Sequence, residues 1–261
     1  MVSYPHFEVS SSHGVARVAF DRADHRNAVT VEMFDVFHDV VRDMAVRDDV
    51  FLVVLTGKGS TFCPGADLRG PDSVVEGEIL PLPRAESNRS ALDLRRLPQI
   101  TIAAVNGACA GAGLAWALAC DLRIASADAR FATAFLDVGL PGELGMAWSL
   151  QRAVGSAAAR ELLILPRKLS AADALSSGLV HRVVAADAFD AETERIVAGI
   201  AARGGDVLRA TKQNLLDAER LPLDDYVDVE AARLREMLSG EMGRRTMERL
   251  RARSRSIGGE E

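Results

Sequence analysis

An α/β fold is predicted for this 261-residue chain from three observations. Continuous β-branched runs at 51–56 and 100–105 have the composition of strands covered on both faces. Helical periodicity occupies the stretches between the strand-like runs and most of the last third. Apolar residues make up 48% of the chain and charged residues 26%, so a sizeable core can be buried. Sheet-forming segments followed by helices divide the chain into a core at 1–203, which holds the candidate site, and a helical region at 204–261. The split falls at Gly204-Gly205.

The elements follow in order. Strand-like runs at 7–9 and 15–20 form a hairpin before the polar turn 21–26. From 31 to 46 the residues Met33, Phe34, Phe37, Val40, Val41 and Met44 recur at helical spacing, with Thr30 placed to cap the first turn. The strand 51–56 runs into a loop at 57–70. Segment 71–88 carries Pro81, Pro83 and mixed charges and reads as a surface loop, with a helix from 86 to 97 that Pro98 stops. The strand 100–105 leads into the glycine-containing stretch 107–113, a buried helix at 114–120 and a short strand at 122–125. Helices are expected at 146–154, 157–163, 171–176, 188–202, 206–218, 224–238 and 241–253.

Several function classes are disfavoured. A formal net charge of -6 supplies no positive field for a phosphate backbone, and 5% aromatics offer few stacking platforms, so no nucleic-acid partner is expected. Cys63, Cys109 and Cys120 form neither a CxxC nor a Cys/His ligand pattern. They imply no disulfide scaffold, no metal site and a reducing, cytoplasmic compartment. No basic start with an apolar run marks a secretory segment. The apolar stretch 102–120 is broken by Asn106, Gly107, Gly111 and Gly113, so no membrane span is expected. There is no GxSxG or HExxH, and Trp116 stands where a dinucleotide fingerprint needs its third glycine.

Two glycine-containing turns carry the chemistry: Phe62-Cys63-Pro64-Gly65-Ala66-Asp67-Leu68, and 107–113 ahead of the buried helix. Donors at a helix start favour negative charge, and one amide from each turn could meet a single oxygen as an oxyanion hole. Taken alone, the glycines fit plain tight turns as well.

The run Ile102-Ala103-Ala104-Val105-Asn106-Gly107 with Gly111-Ala112-Gly113, Cys120-Asp121 and the 62–68 turn resembles the crotonase superfamily, the enoyl-CoA hydratase/isomerase family. The resemblance extends to Arg22 through Asn27-Ala28, to 131–150, to Leu169 through Ala174 and to Gly178-Leu179-Val180. It implies a spiral of ββα units, a C-terminal helical trimerisation region, and homotrimers or homohexamers. It also implies an acyl-CoA thioester as partner, with no cofactor beyond the CoA of the substrate. The thioester oxygen would lie between the N–H groups of Ala66 and Ala112. Arg26, Asn27, Ala28, Pro64, Ala66, Asp67 and Leu68 would border the CoA moiety, with Asp67 pinning its own turn through nearby N–H groups. Among the terminal arginines from Arg244 to Arg255, a solvated helix face and a CoA phosphate contact both stay open.

The sequence departs from the hydratase pattern at both catalytic glutamates, whose positions are Ala115 and Phe135. Neither can move a proton. Glu143, in the run 138–145, matches the place where some enoyl-CoA isomerases of the superfamily carry their only catalytic carboxylate. Read without the resemblance, Glu143 is equally a helix-terminal carboxylate. Asp137 reads as a loop charge, Cys63 as a buried filler, and Trp116 and Trp148 as core residues. The expected activity is double-bond isomerisation or a related proton transfer on an enoyl-CoA thioester through an oxyanion-stabilised enolate. A divergent hydratase and a non-catalytic acyl-CoA-binding protein are the alternatives.

Overall fold

A computed structural model describes residues 4–67, 83–240, 243, 244, 246–248 and 251. The chain divides into two compact units, 1–209 and 210–261.

The first unit opens with β1 (Phe7–Ser12) and β2 (Val15–Phe20), paired antiparallel as a hairpin. The helix α1 (Val31–Ala45) follows, capped by Thr30, whose hydroxyl accepts the Met33 N–H at 3.2 Å. All six residues read as its apolar stripe are buried, so the 3.6-residue period located the face correctly. β3 (Leu52–Gly57), β5 (Ile100–Val105) and β7 (Leu122–Ser126) are parallel, and with β10 (Arg182–Val184) they extend the sheet in the order β1-β2-β3-β5-β7-β10. β5 is buried at every residue, as its unbroken apolar composition requires.

A second sheet, absent from the sequence reading, is built from β4 (Thr61–Cys63), β6 (Ala108–Ala110), β8 (Arg130–Ala132) and β9 (Leu169–Ser170). Stretches read as loops at 57–70 and 107–113 therefore contain strands. Two- and three-residue strands of Ala, Cys and Thr carry no period-2 signal; only pairing with their neighbours makes them strands. Each of β3–β4, β5–β6 and β7–β8 contributes one strand to each sheet, and this alternation winds the spiral.

The helix α2 (Ser90–Arg96) follows a short 3-10 turn at Ala85–Arg89, and α3 (Ala112–Ala119) follows β6. α3 is buried throughout. Trp116 is fully buried at its centre, tilted against Phe34 and Phe37 and stacked on Phe20, with its indole N–H donated to Ser90 Oγ at 3.0 Å. Then come α4 (Met146–Val154), α5 (Ser156–Ile164), α6 (Ala171–Ser176) and α7 (Phe189–Ala201). Trp148 departs from expectation: it is 43% exposed, with the Arg152 guanidinium 3.5 Å from its ring centroid. One turn of separation puts Arg152 over the same helix surface, so a cation covers the ring in place of the core.

α8 (Gly205–Ala218) crosses the boundary between the units, and α9 (Leu223–Leu238) belongs to the second. Within the second unit Asp217 is buried, and Arg233 Nη2 donates to its Oδ2 at 2.7 Å. Burial opposes ionisation of Asp217, but hydrogen bonds from Arg233, Arg220 and Gln213 overcome it and hold the carboxyl below its usual range. A folded pKa below the unfolded one gives stability that is full above the ordinary carboxylate pKa of about 3.9 and is lost as pH falls through the depressed value. Arg233→Met is expected to cost roughly 2 kcal/mol, because a charged hydrogen bond is lost while Arg220 and Gln213 remain. Urea denaturation at pH 7 and pH 3 checks this: the difference between wild type and variant should shrink at the lower pH.

Candidate active site

The two turns meet at their glycines. Gly65, at φ +96°, and Gly111, at φ +52°, stand so close that a Cβ built on Gly111 would lie 3.5 Å from Gly65 Cα. A side chain on Gly113 would run into the carbonyl of Cys63, so the second turn seats directly on the end of β4. Ala66 and Ala112 are the next residues after the two apposed glycines.

Among the described residues each of these alanines has an N–H with no backbone acceptor, for a different reason. Ala66 pairs in parallel with Val29: Val29 N–H donates to Gly65 O and Asp67 N–H donates to Val29 O, both at 2.9 Å. That ladder passes over Ala66, whose own N–H points to the opposite side of the strand. Ala112 is the first residue of α3, and a helix has no internal acceptor for its first donors. Ala115 N–H is the first to bond back, to Gly111 O at 3.0 Å.

A cleft of about 810 Å³ opens beside the first turn. Five of the expected residues border it: Arg26, Ala28, Pro64, Ala66 and Asp67. Ala112 and Glu143 are not on its lining, which reaches Ala110 on the second turn. Leu68 lies outside the described residues, as do most of the 71–88 loop and all the terminal arginines but Arg244 and Arg251, which are exposed. Asn27 is at 0% exposure and its side chain is committed to the fold. Its Oδ1 accepts Arg22 N–H at 3.0 Å, and its Nδ2 donates to Lys58 O and Thr61 O at 3.0 and 2.6 Å. The Asp67 carboxylate accepts from the Arg22 guanidinium at 2.7 Å, a partner that the sequence does not reveal.

Arg130, Arg167, Lys168 and Asp137 border the cleft and were not anticipated. Asp137, expected as a loop charge, occupies an exposed 3-10 turn at Leu136–Val138. The only sequence signal for the others is the adjacent basic pair Arg167-Lys168 before β9. With Arg26 the cleft holds four cationic side chains against three carboxylates, Asp24, Asp67 and Asp137, of which Asp67 is paired with Arg22.

The model of the Enoyl-CoA hydratase/isomerase family matches residues 10–253. This chain belongs to that family. Probable enoyl-CoA hydratase EchA14 of Mycobacterium tuberculosis is 39% identical over 216 residues, covering 82% of this chain and 83% of its own. EchA12 of the same organism, also named a probable enoyl-CoA hydratase, is 36% identical over 79% of this chain and 76% of its own. Among solved structures, a Thermobifida fusca protein assigned to the enoyl-CoA hydratases and crystallised with CoA superposes with a TM-score of 0.81. Its identity is 33%, over 90% of this chain and 93% of its own. The fold is the crotonase fold.

Ala115 and Phe135 are both buried, at 1% and 7% exposure, and neither has a titratable group. Glu143 sits in the 139–145 segment, where Gly139, Gly142, Leu144 and Gly145 all take positive φ. The segment's turns delay α4 to Met146, whose N–H donates to Glu143 O at 2.9 Å, so Glu143 precedes the helix rather than opening it. Its carboxyl is half-buried, and loss of solvation pushes its pKa above the ordinary carboxylate value. Cys63 is fully buried, and burial raises its thiol to about 12, the range of an inert filler rather than a nucleophile.

Proposed function

We propose that this protein binds an enoyl-CoA thioester and moves its double bond by proton transfer. Ala66 and Ala112 N–H would hold the thioester oxygen, and Glu143 would carry the proton. The observation that carries this reading is the junction of two turns at Gly65 and Gly111, each followed at once by a residue whose N–H has no backbone acceptor among the described residues. Removing a proton beside or conjugated to a thioester places negative charge on the carbonyl oxygen, and preformed donors there lower the barrier without metal or redox chemistry.

Isomerisation fits the acids better than hydration does. Hydration of a 2-enoyl thioester needs a water to be activated and a proton to be delivered, and the two positions that do so in hydratases are Ala115 and Phe135. A single carboxylate suffices to take a proton from one carbon of a 3-enoyl thioester and return it two carbons away. The four cations at the cleft suit the phosphates of CoA, and the Thermobifida fusca relative was crystallised with CoA and with acetoacetyl-CoA.

As a base Glu143 must be ionised. Because burial raises its pKa, kcat/KM should climb with pH through a value above that of an ordinary glutamate, and this limb should vanish in Glu143→Gln. Measuring 3-enoyl-CoA isomerisation and 2-enoyl-CoA hydration side by side tests the reading. Isomerisation with the Glu143-dependent limb supports it; hydration alone overturns it.

A further inference from the structure

Arg22 is not on the lining of the cleft that Ala66 borders; with His6, Asp21 and Glu32 it lines an adjoining polar hollow that shares Asp24 and His25 with that cleft. From there its Nη1 donates to Asp67 Oδ2 at 2.7 Å and to Ala28 O at 3.0 Å. The two charged side chains retain 13% and 9% exposure, so the pair is nearly dry. These acceptors lie on the two segments joined by the Val29–Ala66 ladder, one residue before Val29 and one after Ala66. The turn that carries Arg22 is itself fixed. Arg26 and Asn27 hold left-handed backbone, Asn27 N–H returns to Arg22 O at 2.9 Å, and the Asn27 amide ties the turn to the carbonyls of Lys58 and Thr61. Thr61 begins β4, which leads into the same loop as Ala66.

We propose that Arg22 is a positioning residue: by holding Asp67 and the Ala28 carbonyl on either side of the Val29–Ala66 ladder, it fixes the direction of the Ala66 N–H. The inference rests on the oxyanion reading above and gives Asp67 the role of counter-ion to Arg22 in place of ligand contact. A planar guanidinium keeps two acceptors at a set angle, which a flexible ammonium does not. Fixed direction is what an oxyanion donor needs, since its benefit lies in requiring no reorganisation when charge develops. Removing Arg22 deletes none of the four cationic side chains of the cleft and loosens one donor.

Acetoacetyl-CoA is the probe. Its C2 proton passes to buffer, and its enolate, which absorbs in the near ultraviolet, is favoured by donors at the thioester oxygen. With wild-type protein the bound enolate fraction should exceed that free in solution. Arg22→Met should lower the ratio of bound enolate to keto form about tenfold, with CoA affinity within about twofold. Arg22→Lys should restore part of it. The double variant Arg22→Met/Asp67→Asn buries no unpaired charge and should lose as much as the single, so it decides the question if Arg22→Met does not fold. A wild-type enolate fraction in the double variant would overturn the role of Arg22 alone, as would loss of CoA affinity in proportion to the enolate signal. No enolate gain in the wild type would overturn the oxyanion reading, and this inference with it.

Discussion

Glu143→Gln is expected to lower 3-enoyl-CoA isomerisation by about 10³-fold, within the 10²–10⁴ that a positioned acid–base group supplies, while acyl-CoA binding is retained. Glutamine keeps the shape and removes the proton-carrying function. Glu143 is half-buried, burial raises its pKa, and among the described residues it forms no ion pair that its removal would break. The stability of the variant should therefore match or exceed the wild type. Turnover is read by the rise of conjugated-enoyl absorbance, and binding by calorimetry with a saturated acyl-CoA. Equal turnover in both proteins would remove Glu143 from the chemistry. No turnover in either, with binding intact, would leave an acyl-CoA-binding protein.

The second large effect is expected from Ala112→Pro. Proline has no N–H and so deletes one donor outright, yet the first helical position is where a helix tolerates it, because that N–H has no internal acceptor. The preceding residue is Gly111 at φ +52° and ψ -125°, the mirror image of the extended backbone that proline asks of its neighbour and one that glycine reaches without cost. Loss of one oxyanion donor is worth about 2.7–4 kcal/mol of transition-state stabilisation, which predicts a 10²–10³-fold fall in kcat with a far smaller change in KM. Ala112 is at 1% exposure, so a thermal melt accompanies the assay and Ala112→Gly, which keeps the N–H, serves as the control. Full activity in Ala112→Pro would place the thioester oxygen elsewhere.

The long elements were legible because burial imposes a period on them. α1 and α4 fall within a residue of expectation, and β5 matches it. The second sheet was not legible: Ala108–Ala110 and Arg130–Ala132 are strands only because β4, β6 and β8 lie side by side, a long-range fact that three residues do not encode. At the site, Gly65, Ala66, Gly111 and Ala112 could be found from glycine placement together with the family resemblance. Asp67 and Asn27 were recognisable as special, but not their partners, because Arg22, Lys58 and Thr61 are brought to them by the turn at 22–27 and by β4. Arg130 and Lys168 reach the cleft from β8 and the approach to β9, so their role depends on the sheet that the sequence did not reveal.

The most direct measurement is a crystal structure of the Glu143→Gln variant with a 3-enoyl-CoA bound. The expected result is a thioester oxygen about 2.7–3.1 Å from both the Ala66 and Ala112 nitrogens, with the residue 143 amide facing the carbons between which the proton would move. A thioester oxygen bonded to neither nitrogen, or residue 143 turned toward bulk water, would contradict it.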